Sequence, residues 1–307
     1  DPGPWIKLGY AGLLAAAALW WVARLGRPAA PVVAPMRAAG AVVVADARKL
    51  RLIYENPRKS DQVDAEYLEG FESVAERRVD ELRCAAGLLG LASVHYLDYR
   101  DSGMTGSPDN QHPQALAAAP VAEVAQKIAL WIRQLRPQVV VTFDPIGGYR
   151  HPDHIAVHQA TVKAFDLAAD PAFEVAASQT EKPALPFQSQ KLYYHTIPRG
   201  MFRWGVRLLR LFGKDPRRWG RNGDIDLVAL AADEFPVHAR IDIRSVLETK
   251  AQASDCHASQ GGPMMRRGFL GWVMRLGSGH ENFMRAVPPP VPGKIESDFY
   301  SDIKSHM

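Results

Sequence analysis

The stretch Gly147-Gly148-Tyr149-Arg150-His151-Pro152-Asp153-His154 gathers two imidazoles, a carboxylate and a phenol, with His158 one turn further on. Neutral imidazoles and carboxylates are the donors of a zinc site. A hydrolase adds to them a base for water and a donor for the oxyanion. His151 and His154 are three residues apart across a helix start, so both can face one cavity, and His154 and His158 share a helical face. Taken singly, each residue has a plainer reading. His158 lies on the stripe Ile155, Val162, Phe165 and reads as a packed core histidine, Asp153 answers the helix dipole, and Tyr149 is loop packing. Their coincidence directly after an apolar strand and a Gly-Gly turn favours a metal-hydrolase site.

The elements that must position these residues follow from periodicity. Val139 to Phe143 reads as a buried strand ending at Asp144-Pro145, and Pro152 stands at the first position of the helix that follows. Loops at the carboxyl ends of parallel strands are where open α/β sheets place their sites. Upstream, Ala39 to Ala45 and Val94 to Leu97 read as strands. Phe71 to Leu89 reads as a helix stopped by Gly90, and Pro120 opens a helix with Val124, Ile128, Trp131, Ile132 and Leu135 on one side. Downstream, Leu192 to His195 and Val237 to Ile241 read as strands, and Asp242 caps a helix running to about His257. This alternation predicts an α/β fold of three layers with a mostly parallel sheet.

Composition narrows the function classes. With 307 residues, 47% hydrophobic and 23% charged, the chain suits one α/β domain, or one such domain plus a tail. A net charge of +4 is far from a nucleic-acid footprint. The arginines cluster at Arg203, Arg207, Arg210, Arg217, Arg218 and Arg221, which suits a local anionic surface. Cys84 and Cys256 match no zinc spacing and read as reduced, buried thiols of a cytoplasmic chain. Residues 1–35 form an apolar segment and a proline-bounded linker. Trp5 to Ala23 is about long enough to span a bilayer, and a signal-like anchor, a marginal membrane helix and a non-native stretch fit it equally.

Gly-Gly-Tyr-x-His-Pro-Asp-His resembles the second signature of the PIG-L/LmbE-type deacetylases, zinc hydrolases that remove acetyl groups from N-acetylglucosaminyl conjugates. Four further pieces follow the family's order: Arg78-x-x-Glu81 on a helix, Asp101-Ser102-Gly103-Met104, Lys250 through His257-Ala258-Ser259-Gln260, and Glu281-x-Phe283. The resemblance implies a Rossmann-like domain over residues 36–300. It makes His154 a zinc ligand and His151 the electrostatic partner or general acid. Asp153 becomes the residue that orients or tunes a histidine, and Tyr149 the residue that donates to the oxyanion or closes over substrate. Arg78 and Asp101 would hold sugar hydroxyls or an anionic aglycone, with His257 and Gln260 lining the rim. The implied partner is a small N-acetylated sugar conjugate.

The family's first signature, His-Pro-Asp-Asp-Glu, is absent, and the first histidine in the chain is His95. Asp46 follows the Val42-Val43-Val44 run, but its distance from the Arg78 helix fits the family's second strand, where no ligand is expected. The N-terminal third therefore reads as replaced, frameshifted or lost, and the chain as written is expected to bind zinc poorly. Two rivals to the hydrolase remain. One is a non-catalytic relative that keeps the sugar cleft. The other is a membrane-associated protein, supported by the apolar N-terminal segment and by the basic amphipathic stretches Met201 to Lys214 and Met264 to Arg275.

Overall fold

The computed structural model describes residues 74–174, 184–197, 199–218, 225–258 and 279–304. The expected strand at 39–45, the segment 1–35, Gln260 and the stretch 264–275 lie outside them.

Helix α1 (Val74–Leu89) ends in a Schellman turn. Gly90 takes φ 67°. Its N–H donates to Gly87 O, and Leu91 N–H donates to Ala86 O. The predicted strand at 94–97 is a single bridge at His95 instead. Helix α2 (Val121–Leu135) begins after Pro120 and buries Val124, Ile128 and Ile132 of the stripe read from the sequence, together with Ala125 and Ala129, while Trp131 and Leu135 are partly buried. Strand β1 (Val139–Phe143) and helix α3 (Pro152–Leu167) flank the Gly-Gly turn as expected. Then come β2 (Lys191–Thr196), α4 (Arg199–Leu211), α5 (Leu227–Ala232), β3 (Ala239–Asp242), α6 (Leu247–Asp255) and β4 (His280–Val287).

The four strands lie in the order β1-β2-β4-β3. β1 and β2 are parallel, with Val139 opposite Lys191 and Phe143 opposite His195. The β2–β4 and β3–β4 pairs are antiparallel, which makes the described sheet mixed. Successive residues of a strand point to opposite faces. Val140 and Leu192 pack with Ile128, Ile132, Ala160 and Phe165 of α2 and α3. Val139 and Tyr193 pack with Leu82, Ala85 and Leu89 of α1, Ala253 of α6 and Phe283. Two cores on two faces of one sheet make the three layers that the strand–helix alternation implies.

A further expectation is overturned. Cys84 and Cys256 form a disulfide, with Cα atoms 5.9 Å apart, that ties α1 to the end of α6. The sequence separation of 172 residues hid a pairing that exists only because these two helices pack against each other. With the thiols bonded, cysteine usage no longer argues for a cytoplasmic location. Among the described residues no helix is long and apolar enough to cross a membrane.

Candidate metal and catalytic site

The site loop starts where β1 ends. Asp144 is fully buried. Its backbone oxygen accepts from Gly147 N–H at 2.8 Å and its Oδ1 accepts from Gly148 N–H at 2.7 Å. Both glycines have positive φ, 65° and 74°. A Cβ at Gly147 would come within 2.7 Å of His154 Cβ, so only glycine lets the loop fold back on the helix it feeds. Arg199, at the start of α4, reaches Asp144 Oδ2 at 3.1 Å and donates to Gly148 O at 3.4 Å. Burial raises the Asp144 pKa, opposed by Gly148 N–H, Arg199 and the nearby His158. Arg199 gave no sequence signal, because its partner lies 55 residues earlier.

His151 caps α3, its Nδ1 accepting from Asp153 N–H at 3.3 Å, and Pro152 follows. An accepting Nδ1 leaves the ring proton of a neutral His151 on Nε2, which lies 3.9 Å from Asp101 Oδ1. Asp153 is completely buried. Ser102 donates to it twice, from its backbone N–H to Oδ2 at 3.2 Å and from Oγ to Oδ1 at 2.5 Å. Ser102 Oγ accepts in turn from Ala117 N–H at 2.9 Å, and Asp101 Oδ1 accepts from Gly103 N–H at 2.7 Å. The Asp-Ser-Gly-Met loop and the His-Pro-Asp-His turn, 51 residues apart, are thereby bound into one site. Ser102 is the link that sequence reading passed over.

The histidine rings divide by role. His154 Nδ1 meets Gly147 O at 3.1 Å. A carbonyl only accepts, so Nδ1 carries the proton and Nε2 the lone pair, as a metal-binding imidazole requires. The ring stacks on Phe143 with centroids 4.0 Å apart and lies 4.9 Å from the His151 ring. Tyr149 sets its edge against both, at 5.9 Å from His151 and 5.2 Å from His154. His158 donates from Nδ1 to Phe143 O at 2.8 Å and packs against Tyr194, and burial lowers its pKa. It is the packed core histidine that its stripe implied.

The other expected residues are placed less fully. Asp101, expected to hold a sugar, is buried in the carboxylate–imidazole cluster. Arg78 lies on α1, but its side chain is outside the described residues. His257 is buried just beyond α6, and that helix reaches the sheet through Lys250, whose Nζ is 2.6 Å from Glu281. His195, also missed in the sequence, stands opposite Phe143 at the carboxyl end of β2. Burial pushes its pKa down to about 4, with Glu281 opposing and Lys250 reinforcing, so the ring is neutral at neutral pH.

One ligand-type atom from each of Asp101, His151 and Asp153 lies within 4.8 Å of the others. Bonds of about 2.0–2.2 Å place ligands across a divalent ion up to about 4.4 Å apart, so a small contraction suffices. The donor types and the burial fit a divalent cation.

Residues 42–165 match the PIG-L family, described as GlcNAc-PI de-N-acetylase. Those residues are a PIG-L domain. The match contains both loops of the site and ends before the Lys250–Gln260 and Glu281–Phe283 pieces. Among similar proteins, a 1D-myo-inositol 2-acetamido-2-deoxy-alpha-D-glucopyranoside deacetylase of Thermobifida fusca is 37% identical over 61% of this chain and 63% of its own length. The protein of the same name from Streptomyces avermitilis is 37% identical over 62% and 63%. The chain thus spans about three fifths of the length of the relatives it matches. The N,N'-diacetylchitobiose deacetylase of Pyrococcus horikoshii superposes with a TM-score of 0.43 at 18% identity, over 69% of this chain and 64% of that one. At that level the superposition bears no weight beyond the PIG-L match.

Proposed function

We propose that this PIG-L domain, taken as one unit over residues 36–300, performs metal-dependent hydrolysis of the acetamide of an N-acetylglucosaminyl conjugate. The observation that supports this most is the pair of hydrogen bonds from Ser102 to Asp153, which set a buried carboxylate–imidazole cluster beside a His154 already committed to one tautomer. The related deacetylases named for an acetamido-glucopyranosyl inositol suggest the substrate class.

His154 would hold the ion through Nε2, with Asp101 and Asp153 as the remaining described donors. A bound divalent ion supplies Lewis acidity and a more acidic water. The chain's own residues do the rest. Asp153 fixes the orientation of the His151 cap through the first turn of α3. His151 presents Nε2–H toward the Asp101 side of the cluster, where it can donate a hydrogen bond to the oxyanion formed at the acetyl carbon, while the proton lost by the attacking water goes to the leaving amine. Tyr149 offers a second donor from the glycine turn. Arg199 and Asp144 hold that turn rigid.

Residues 1–307 contain no His-Pro-Asp-Asp-Glu. Zinc binding is therefore expected to be weak and hydrolysis slow, because affinity depends on a full, oriented ligand set. The test is acetate release from the acetamido-glucopyranosyl inositol with added zinc. The expected result is a rate slightly above background that chelation or His154→Ala removes. Fast turnover would mean that other residues complete the ligand set. A rate indifferent to both zinc and His154→Ala would overturn the reading.

A further inference from the structure

Helix α4 has two apolar stripes, and only one is used. Phe202, Val206 and Leu209 face inward and pack with Leu227 and Leu230 of α5. Trp204, Leu208 and Leu211, at spacings of four and three, lie on the opposite side and continue into Phe212 after the helix ends. Their exposures are 71%, 51%, 79% and 69%. Solitary exposed apolar residues are ordinary, but four large ones on a single ridge mark a contact surface.

Charge indicates what the ridge touches. Between Met201 and Arg218 there are six cationic side chains (Arg203, Arg207, Arg210, Lys214, Arg217 and Arg218) against one acid, Asp215. Arg203 pairs with Glu234. Arg207 lies over the Trp204 ring, 5.7 Å from its centroid. Arg207, Arg210, Lys214, Arg217 and Arg218 are exposed and have no carboxylate partner among the described residues. At about 100° per residue, Arg203, Arg207 and Arg210 form a row along one flank of the apolar ridge.

We propose that α4 and the turn after it dock on an anionic phospholipid surface, with the helix in the plane of the interface. The ridge is convex, so it enters a deformable layer more readily than a preshaped protein groove. Trp204 suits the headgroup level, and the arginines extend past the apolar residues toward phosphates. A two-fold contact with a second copy would set one row of arginines against another. Arg199, at the start of the same helix, grips Asp144 and Gly148 of the site loop, so a docked α4 holds that loop close to the surface. The docking surface does not depend on the hydrolytic reading.

The test is flotation of the full chain with vesicles of phosphatidylcholine alone and with about one third phosphatidylglycerol, at low and high salt. Binding is expected only to the anionic vesicles, to fall as salt shortens the screening length, and to bring a blue shift in emission that Trp204→Phe removes. Arg207→Glu/Arg210→Glu and, separately, Leu208→Ser/Leu211→Ser are each expected to weaken binding by at least about tenfold. All four positions are exposed, so circular dichroism should be unchanged. Failure of the full chain to bind, equal binding to both vesicles, or parental binding by both variants would overturn the proposal; the last would place the contact elsewhere, as in residues 5–23. A dimer that Leu208→Ser/Leu211→Ser dissociates, without lipid binding, would assign the ridge to a second copy.

Discussion

Two buried clusters of charge stand at opposite ends of the parallel pair β1–β2, and they are built on opposite principles. At the amino end, Glu296 accepts from Tyr193 OH at 2.7 Å and meets Arg285 Nη1 at 2.7 Å and Lys191 Nζ at 3.4 Å. Lys191 also donates to Ser301 O, and Arg285 to Pro288 O and Pro289 O. One anion serves two cations, and backbone carbonyls take the surplus donors. Burial alone would raise the Glu296 pKa, yet Tyr193, Lys191 and Arg285 together bring it below its ordinary value. At the carboxyl end, Asp101 and Asp153 crowd one imidazole, His151, at 3.9 Å each. The first cluster is complete within the chain, whereas among the described residues the second sets two carboxylates around one imidazole, an arrangement that suits an added cation. Buried ionisable groups therefore point to a functional site when carboxylates are crowded together, as at Asp101 and Asp153, rather than when surplus donors are taken up by backbone carbonyls, as at Lys191 and Arg285.

The largest effect expected from this contrast is at the complete end. Glu296→Gln leaves Lys191 and Arg285 buried without their carboxylate and should cost about 3–5 kcal/mol in urea unfolding, leaving any metal response intact. Removing the disulfide with Cys84→Ser/Cys256→Ser should cost about 2–4 kcal/mol, again without altering metal binding, because it loosens only the α1–α6 tie.

Acid should act on both ends in separate windows. The folded His195 pKa of about 4 lies below that of the unfolded chain, near 6.5, so the unfolded state takes up the proton first. Stability should fall as pH drops between those values. The depressed Glu296 pKa adds a loss that begins below the ordinary glutamate value and continues through the folded one. Urea midpoints against pH check this, and His195→Gln should flatten the upper window alone. The smallest effect belongs to the crowded end. Asp153→Asn relieves like charge while keeping one acceptor for Ser102, so stability should change by no more than about 1 kcal/mol in either direction. A loss as large as that of Glu296→Gln would erase the contrast.

How much of this was legible depends on where each partner lies in sequence. β1, the Gly-Gly turn and the cap of α3 were readable because strand period, positive-φ glycines and a proline at the first helical position are local signals. The stripe of α2 was readable for the same reason. β4 was not, since its buried positions include Glu281 and Arg285 as well as Phe283. Those charges are met by Lys250 and Glu296, from elsewhere in the chain, so alternation of hydrophobicity fails where ion pairs replace apolar packing. Ser102–Asp153, Arg199–Asp144 and Cys84–Cys256 are likewise long-range pairs with no local trace. The motif residues Tyr149, His151, Asp153 and His154 were assembled correctly as neighbours, because they occupy one turn and one helix start.

The most direct measurement is the shift in melting temperature on adding zinc to the intact chain, to Asp153→Asn, to His154→Ala and to Glu296→Gln. A ligand that binds only the folded state raises stability by about 2.7 kcal/mol at a hundred times its dissociation constant, so even a weak site registers at high zinc. The parent and Glu296→Gln should show the same upward shift, the latter from a lower starting temperature, while Asp153→Asn and His154→Ala should show little or none. No shift in the parent, or an undiminished shift in Asp153→Asn and His154→Ala, would contradict a cation site at the carboxyl end of β1.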